Sequence, residues 1–137
     1  MTVLIDTNIL LDFIQHREHF SSSERILTLC AERKLNGFMA AHSVPNIFYI
    51  LRKGFSDDER RSILLSLIEL VPVVNVDQMK IESALRQKSF ADFEDCLQSK
   101  CAEKIGADYI ITRNISDYSD LNVQPIFPDD FLKEVIG

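Results

Sequence analysis

Three short segments place carboxylate and amide side chains where they could act together. Asp6, Thr7 and Asn8 follow a β-branched apolar run, residues 92–95 open a helical pattern, and residues 112–117 end a second apolar run. Clustered carboxylates repel one another unless a cation neutralises them, and oxygen-only ligand sets favour Mg²⁺ or Mn²⁺. Such an ion can activate water and stabilise displacement at a phosphodiester. The pattern therefore predicts a hard divalent-metal site.

Each segment also has an ordinary structural interpretation. Asp92 can cap a helix whose first turn gains from Glu94 and Asp95 next to the helix dipole. Residues 112–117 can be a strand-exit loop. The repetition of Asp and Asn at one sheet edge favours a site, because ligands of open α/β sheets lie outside the carboxyl ends of the strands. Asp95 borders the apolar side of its helix and can point toward Asp6, whereas Glu94 is expected to face water.

Alternating strand and helix patterns predict a single α/β/α domain over residues 1–137 with a mainly parallel sheet of four to five strands. The predicted strands are residues 3–5, 38–41, 71–76, 109–112 and 123–127. The predicted helices are residues 8–14, 21–35, 44–53, 56–70, 77–87 and 93–105, with a short helix after Pro128.

Two helix starts carry a capping-box pattern. Ser21 with Glu24 predicts the start of one helix, which closes at Asn36-Gly37, and Ser56 with Glu59 predicts the start of another. These local signals define where the chain enters and leaves helices.

The composition is that of a globular protein, with 46% hydrophobic and 26% charged residues and a formal net charge of −6. This charge argues against nucleic-acid binding by bulk positive charge, although acids gathered around a metal make the total more negative. A local basic cluster is nevertheless present, and its ordinary interpretation is two solvated helix ends. The cluster consists of Arg52, Lys53, Arg60 and Arg61.

The cysteines and histidines give no sign of a disulfide framework or a zinc site. Cys30, Cys96 and Cys101 are odd in number and fall in helical patterns, which is typical of reduced thiols. The three histidines lack ligand spacing and are expected at the surface or at helix ends. No signal peptide or membrane helix is predicted, so we expect a cytoplasmic protein.

In order and spacing, the three polar segments resemble the PIN domain family, and within it the VapC-type toxin nucleases of bacteria and archaea. The resemblance rests on Asp6-Thr7-Asn8, Asp92-x-x-Asp95, and residues 107–114 followed by Asp117-Tyr118. It implies a parallel α/β/α fold, Mg²⁺- or Mn²⁺-dependent cleavage of RNA, an antitoxin bound near the active site, and frequent homodimers.

The same resemblance assigns the catalytic and metal-binding acids. Asp6 matches the first acid of the family and Asp95 the third, while Asp117 substitutes for the last acid, whose usual position is Asn114. Asn46 stands where the second acid is expected, and its amide brings no charge. We further expect five supporting residues and one substrate contact. The supporting residues are Asn8, Asn46, Asp92, Thr112 and Asn114, and the substrate contact is Arg113.

Two other interpretations stay open at this point. Asp6-x-Asn8 is similar to the Asp-x-Asp start of haloacid-dehalogenase phosphatases, which need an acid where Asn8 stands. With Asn46 and Asn114 in acid positions, the chain could also be a degenerate PIN domain that binds RNA or protein without catalysis.

Residues 44–70 also bear on a possible partner. They carry apolar side chains over a wide arc, among them Leu64, Leu65, Leu67 and Ile68. Burial of all of them in the core is the ordinary explanation. The family resemblance instead implies a groove for an antitoxin helix, with Arg52 and Lys53 near its rim.

Overall fold

A parallel sheet of five strands lies at the centre of the described part of the chain. The computed structural model describes residues 1–89, 92–118 and 122–137. The strands are β1 (Thr2–Ile5), β2 (Asn36–Ala40), β3 (Val73–Val74), β4 (Tyr109–Ile111) and β5 (Gln124–Ile126). Their spatial order is β3-β2-β1-β4-β5, and each neighbouring pair is parallel. The predicted α/β fold with a parallel sheet is confirmed.

Helices connect the strands and cover the sheet. They are α1 (Thr7–Ile14), α2 (Phe20–Ala31), α3 (Ser43–Ile50), α4 (Asp57–Leu70), α5 (Gln78–Arg86), α6 (Phe93–Lys104) and α7 (Pro128–Asp130). Short 3₁₀ turns span Leu51–Lys53 and Ile115–Tyr118, and a π-helical turn spans Phe131–Ile136.

The sheet is buried on both faces, and the side chains of β1 alternate between the two hydrophobic cores. Val3 and Ile5 belong to one hydrophobic cluster, which also contains residues of α1 to α4 and Phe131. Leu4 belongs to the other cluster, together with Ala102 of α6. A strand buried on both faces must be apolar throughout, which explains the uninterrupted apolar run at the start of the chain.

The direction in which strands are added reverses at β1. From β1 the chain proceeds through β2 to β3 on one side, and β4 and β5 extend the other side. In parallel α/β sheets such a reversal opens a crevice outside the carboxyl ends of the two central strands. This crevice lies beyond Ile5 of β1 and Ile111 of β4.

The two predicted capping boxes have different outcomes. At α4, the Ser56 hydroxyl accepts from the Glu59 backbone N–H at 3.1 Å and the Glu59 carboxylate accepts from the Ser56 N–H at 2.8 Å. At α2 the prediction is wrong, since the helix begins at Phe20 and Ser21 makes no cap. Ser21 already lies inside the first turn there.

Gly37 was also predicted wrongly as a helix terminator. The helix α2 ends at Ala31, and Gly37 lies within β2. A Cβ atom on Gly37 would lie 2.7 Å from Cys30 Sγ and 3.0 Å from Ile5 Cδ1. The glycine is needed because α2 and β1 approach this point of β2 closely.

All three cysteines are buried and unbridged, in agreement with the prediction of free thiols. Among the described residues, no helix has the length and apolar character needed to cross a bilayer.

Candidate active site

A cavity of about 350 Å³ opens at the carboxyl ends of β1 and β4. Side chains from α1, α3, α6 and the Ile115–Tyr118 turn form its walls. Seven of the residues predicted from the sequence line it: Asp6, Asn8, Asn46, Asp92, Asp95, Asn114 and Asp117. The fold thus brings to one cavity residues that lie far apart in the chain.

Asp6 is the most deeply buried of the described acids that line the cavity. It follows β1, occupies the N-cap position of α1 and is 2% exposed. Its Oδ1 accepts from Gln98 Nε2 at 2.9 Å and its Oδ2 accepts from Thr112 Oγ1 at 2.7 Å. Two neutral donors therefore hold the carboxylate without neutralising it.

Thr112, a predicted supporting residue, is buried directly after β4. Its hydroxyl donates to Asp6 and accepts from the Asn114 backbone N–H at 3.0 Å. Thr112 thereby links the first acid to the loop that carries Asn114 and Asp117.

Asp95 lies in the first turn of α6, and its ionisation is strongly perturbed. Burial, followed by repulsion from Asp6 and Asp92, raises the pKa of Asp95 from 3.8 to about 7. The Tyr118 hydroxyl donates to Asp95 Oδ1 at 3.2 Å, and burial raises the pKa of Tyr118 so that the phenol keeps its proton. The ionised form of Asp95 is therefore disfavoured unless a positive charge lies nearby.

Asp92 and Glu94 extend the acidic character of the α6 start. Asp92 is the N-cap of α6, as predicted, since its Oδ1 accepts from the Asp95 N–H at 3.0 Å. Glu94 is exposed but also lines the cavity, where its Oε2 lies 3.5 Å from Nδ2 of Asn46. The amide at position 46 therefore has a carboxylate beside it, contributed by a different element.

Arg113, predicted to contact substrate, has a close partner inside the protein. Its Nε donates to Asp12 Oδ2 at 2.9 Å and its Nη2 donates to Asp12 Oδ1 at 3.1 Å. Asp12 is fully buried, and Arg17 approaches the same carboxylate at 3.8 Å. The bidentate pair gives Arg113 a structural function in joining α1 to the loop after β4. A contact of Arg113 with substrate stays a prediction.

His42 lies near this cavity rather than on the open surface. It precedes α3, and both ring nitrogens are buried with no hydrogen-bond partner among the described residues. Burial lowers the pKa of His42, against the opposing effect of the nearby Glu94 and Asp6 carboxylates. The expected helix-end position is correct, and the two ring nitrogens are buried although the residue as a whole is partly exposed.

Sequence reasoning missed several cavity residues, of which Gln98 is the most informative. Gln98 is 2% exposed and holds Asp6 through its Nε2, while its Oε1 is buried without a partner in the described part of the chain. The i, i+3 spacing from Asp95 was the signal that could have identified it, since such residues share a helix face. Tyr49 and Ile50 of α3 also line the cavity and carried no such signal.

The donor chemistry of the cavity fits a hard divalent cation. Carboxylate and amide oxygens surround it, and an unpartnered buried acceptor such as Gln98 Oε1 is often explained by a water or an ion. Within residues 1–89, 92–118 and 122–137, no three His, Cys, Asp or Glu side chains stand close enough together to form a ready-made metal site. This is compatible with Mg²⁺, which proteins commonly bind through one or two carboxylates while it keeps several waters.

The fold and the acidic cavity together agree with one known class of protein. The sequence profile of the PIN domain family matches residues 2–116, and the chain therefore belongs to the PIN domain family. This assignment separates it from the haloacid-dehalogenase phosphatases.

The chain is also similar to three individual proteins. The chain is 26% identical over 124 residues to Ribonuclease VapC1 of Aquifex aeolicus (strain VF5), covering 85% of this chain and 84% of that protein. Its fold is similar to a chain of VapBC2 from Rickettsia felis, solved bound to a DNA fragment from its promoter, with a TM-score of 0.69, 19% identity and coverage of 93% and 98%. It is also similar to a chain of VapBC-1 from nontypeable Haemophilus influenzae, with a TM-score of 0.66, 17% identity and coverage of 94% and 99%.

Proposed function

We propose that this protein is a metal-dependent endoribonuclease and the toxin of a toxin–antitoxin pair that acts in the cytoplasm. The observation that carries the proposal is the cavity at the carboxyl ends of β1 and β4. Burial and repulsion from neighbouring acids raise the pKa of Asp95 there to about 7, a sign of a site built for a cation. Five acids of the described residues line the cavity: Asp6, Asp92, Glu94, Asp95 and Asp117.

Asp6 and Asp95 would bind the ion directly, and Asp117, which lines the same cavity on the turn after β4, would bind it through water. A bound Mg²⁺ or Mn²⁺ supplies an activated water and stabilises the charge that develops on the phosphoryl group. Thr112 and Gln98 hold the Asp6 carboxylate in position. Asn8, Asn46 and Asn114, which bring polar but uncharged groups to the cavity, would orient water or substrate.

Two observations favour catalysis over a non-catalytic binding module. The charge missing at Asn46 has a substitute in Glu94, which lies beside Asn46 in the cavity. RNA as the substrate is supported by the likeness to Ribonuclease VapC1 over most of both chains.

The decisive experiment incubates the purified protein with structured RNAs in Mn²⁺, Mg²⁺ or EDTA. We expect cleavage with either metal and none in EDTA. Asp6→Asn and Asp95→Asn should abolish it, whereas Asp130→Asn, which changes an exposed acid outside the cavity, should cleave like the wild type. Cleavage that persists in EDTA, or in Asp6→Asn, would overturn the proposed mechanism, and no cleavage by the wild type would favour the binding module.

A groove of about 530 Å³ between α3 and α4 supports a protein partner. Leu65 is 66% exposed at this groove, so the interpretation that every apolar residue of α4 faces the core is wrong. An exposed apolar groove of this kind suits an amphipathic helix. Both similar solved structures belong to VapBC proteins, which supports an antitoxin as the occupant. The groove is lined by Val44, Pro45, Phe48, Arg61, Leu64, Leu65 and Ile68.

Pull-down from the native host at native expression levels tests this partner. We expect a small co-expressed protein to be recovered and to block RNA cleavage when it is added back. Leu65→Asp should release it while leaving the fold intact, because Leu65 is mostly exposed. Recovery of the bare chain or its homodimer alone would contradict the toxin assignment.

A further inference from the structure

The rim of the acidic cavity carries an exposed aromatic side chain. Tyr49, near the end of α3, lines the cavity and is 61% exposed. The Arg52 guanidinium lies 3.7 Å from the centroid of the Tyr49 ring, and Arg52 Nη1 donates to the Tyr49 carbonyl at 2.9 Å. The guanidinium thus covers part of the ring and holds it beside the cavity, while most of the residue remains open to solvent.

Arg52 also brings to this rim a positive charge that forms no ion pair with any described residue. Within the predicted basic cluster, Arg60 and Arg61 form ion pairs with Asp57. In the part of the chain that the structure describes, neither Arg52 nor Lys53 has an ion-pair partner. The cavity wall is strongly acidic and repels phosphates, so a free cation at its edge is well placed to attract a phosphodiester.

The contact between Tyr49 and Arg52 also has a local function, because the two residues are i, i+3 neighbours at the end of α3. Stabilising the end of α3 does not, however, require the Tyr49 ring to line the cavity. Exposed aromatic rings paired with arginine are the elements by which proteins hold unpaired nucleotides, since every base offers a π-face for stacking. A base within a duplex is already stacked and paired, and cannot use such a site.

We propose that Tyr49 and Arg52 form a stacking site for one unpaired nucleobase of the RNA, next to the phosphodiester that enters the acidic cavity. The inference rests on the proposed nuclease function and adds to it the residues that hold the substrate, a ring and a guanidinium at the rim of the cavity. Tyr49 stacks on the base, and Arg52 supports the ring and attracts the neighbouring phosphate.

The test measures RNA binding separately from cleavage. In an Asp6→Asn background, where the RNA is not cut, fluorescence anisotropy compares a single-stranded oligonucleotide with a blunt duplex of the same sequence. Tyr49→Ala should weaken single-strand binding roughly 5- to 100-fold and leave duplex binding nearly unchanged, as expected for the loss of one stacked base. Tyr49→Phe keeps the π-face and should bind like the parent. Leu85→Ala, which removes a 63% exposed side chain on α5 away from the cavity, is the matched control.

Several outcomes would overturn the stacking site. Unchanged single-strand affinity in Tyr49→Ala would do so, as would equal losses for single strand and duplex. If Tyr49→Ala loses binding to a protein partner but keeps its affinity for RNA, the Tyr49 ring belongs to the interface with that protein and not to a base-stacking site. RNA cleavage by the wild type is measured in a separate experiment. If the wild type never cuts RNA but binds single strands through Tyr49, the proposed nuclease function is refuted and the stacking site is supported.

Discussion

At the scale of single residues, Asp6 and Asp95 illustrate how two acids in one cavity acquire different properties. Asp6 is almost completely buried, yet two neutral hydrogen-bond donors compensate its carboxylate. Asp95 is half-buried near three other acids, and among the described residues only the Tyr118 hydroxyl donates to its side chain. Asp95 is therefore the residue whose charge state responds most to whatever neutralises the cavity.

This perturbation predicts a pH dependence of stability in the metal-free protein. The pKa of Asp95 rises from 3.8 to about 7 on folding. Between these values the folded state holds a proton that the unfolded state has lost, so stability falls as pH rises, by at most about 1.4 kcal/mol per pH unit. Asp95→Asn should lack this component. Urea unfolding in EDTA across this pH range would measure it, and parallel curves for the two proteins would contradict it.

The Arg113–Asp12 pair leads to a second prediction at this scale. Within the part of the chain that the structure describes, removing Arg113 leaves the fully buried Asp12 carboxylate with Arg17 as its one ion-pair partner, 3.8 Å away. Arg113→Ala should therefore lower the free energy of unfolding by about 3 kcal/mol, and Asp12→Asn in the same chain should restore part of it. Denaturant unfolding measures both effects. A variant with wild-type stability but weaker RNA binding would instead favour Arg113 as a substrate contact.

At the scale of elements, the start of α6 supplies much of the site. The Asp95 backbone N–H donates to the Asp92 carboxylate. This helix cap fixes the first turn of α6 and with it the directions of Glu94 and Asp95. One turn later Gln98 reaches back to Asp6. The cap and the predicted supporting role of Asp92 are thus compatible, because the same residue starts the helix and lines the cavity.

The close approach of α2 and β1 to β2 gives a prediction for this scale. Gly37→Ala would place a Cβ atom 2.7 Å from Cys30 Sγ, and such overpacking costs roughly 1–3 kcal/mol. Adding Cys30→Ala should relieve most of that cost by removing the clashing sulfur. Gly54→Ala is the control, since apart from its chain neighbours no described residue has an atom within 4 Å of the added Cβ. Equal unfolding midpoints for the two single variants would show that the contact is not tight.

At the scale of the whole molecule, the formal net charge is −6, and several of the acidic side chains that contribute to it line one cavity. A ligand that binds only the folded state raises stability by mass action, about 2.7 kcal/mol at a concentration 100 times its Kd. We expect saturating Mn²⁺ to raise the melting temperature on the order of 5–10 °C. Asp6→Asn and Asp95→Asn should lose most of this rise, and Asp130→Asn should keep it. An equal rise in all four proteins would mean that the ions bind elsewhere.

The sequence by itself determined the class of the fold and the position of its principal acids. The apolar run before Asp6, the capping box at Ser56 and the cap at Asp92 are local signals, each decided by neighbours a few positions away. Asp6 at the end of a strand and Asp95 in the first turn of a helix followed directly from these signals. Local signals failed where packing overrode them, as at Ser21 and Gly37, whose surroundings depend on other elements.

Only the tertiary structure decided which side chains support those acids. The contact of Asn46 with Glu94 spans 48 positions, that of Gln98 with Asp6 spans 92, and that of Arg113 with Asp12 spans 101. No periodicity or spacing in the chain encodes such pairs. They arise because the parallel sheet places the carboxyl ends of β1 and β4 side by side. Residues of α3 and α6 then line the cavity at these strand ends.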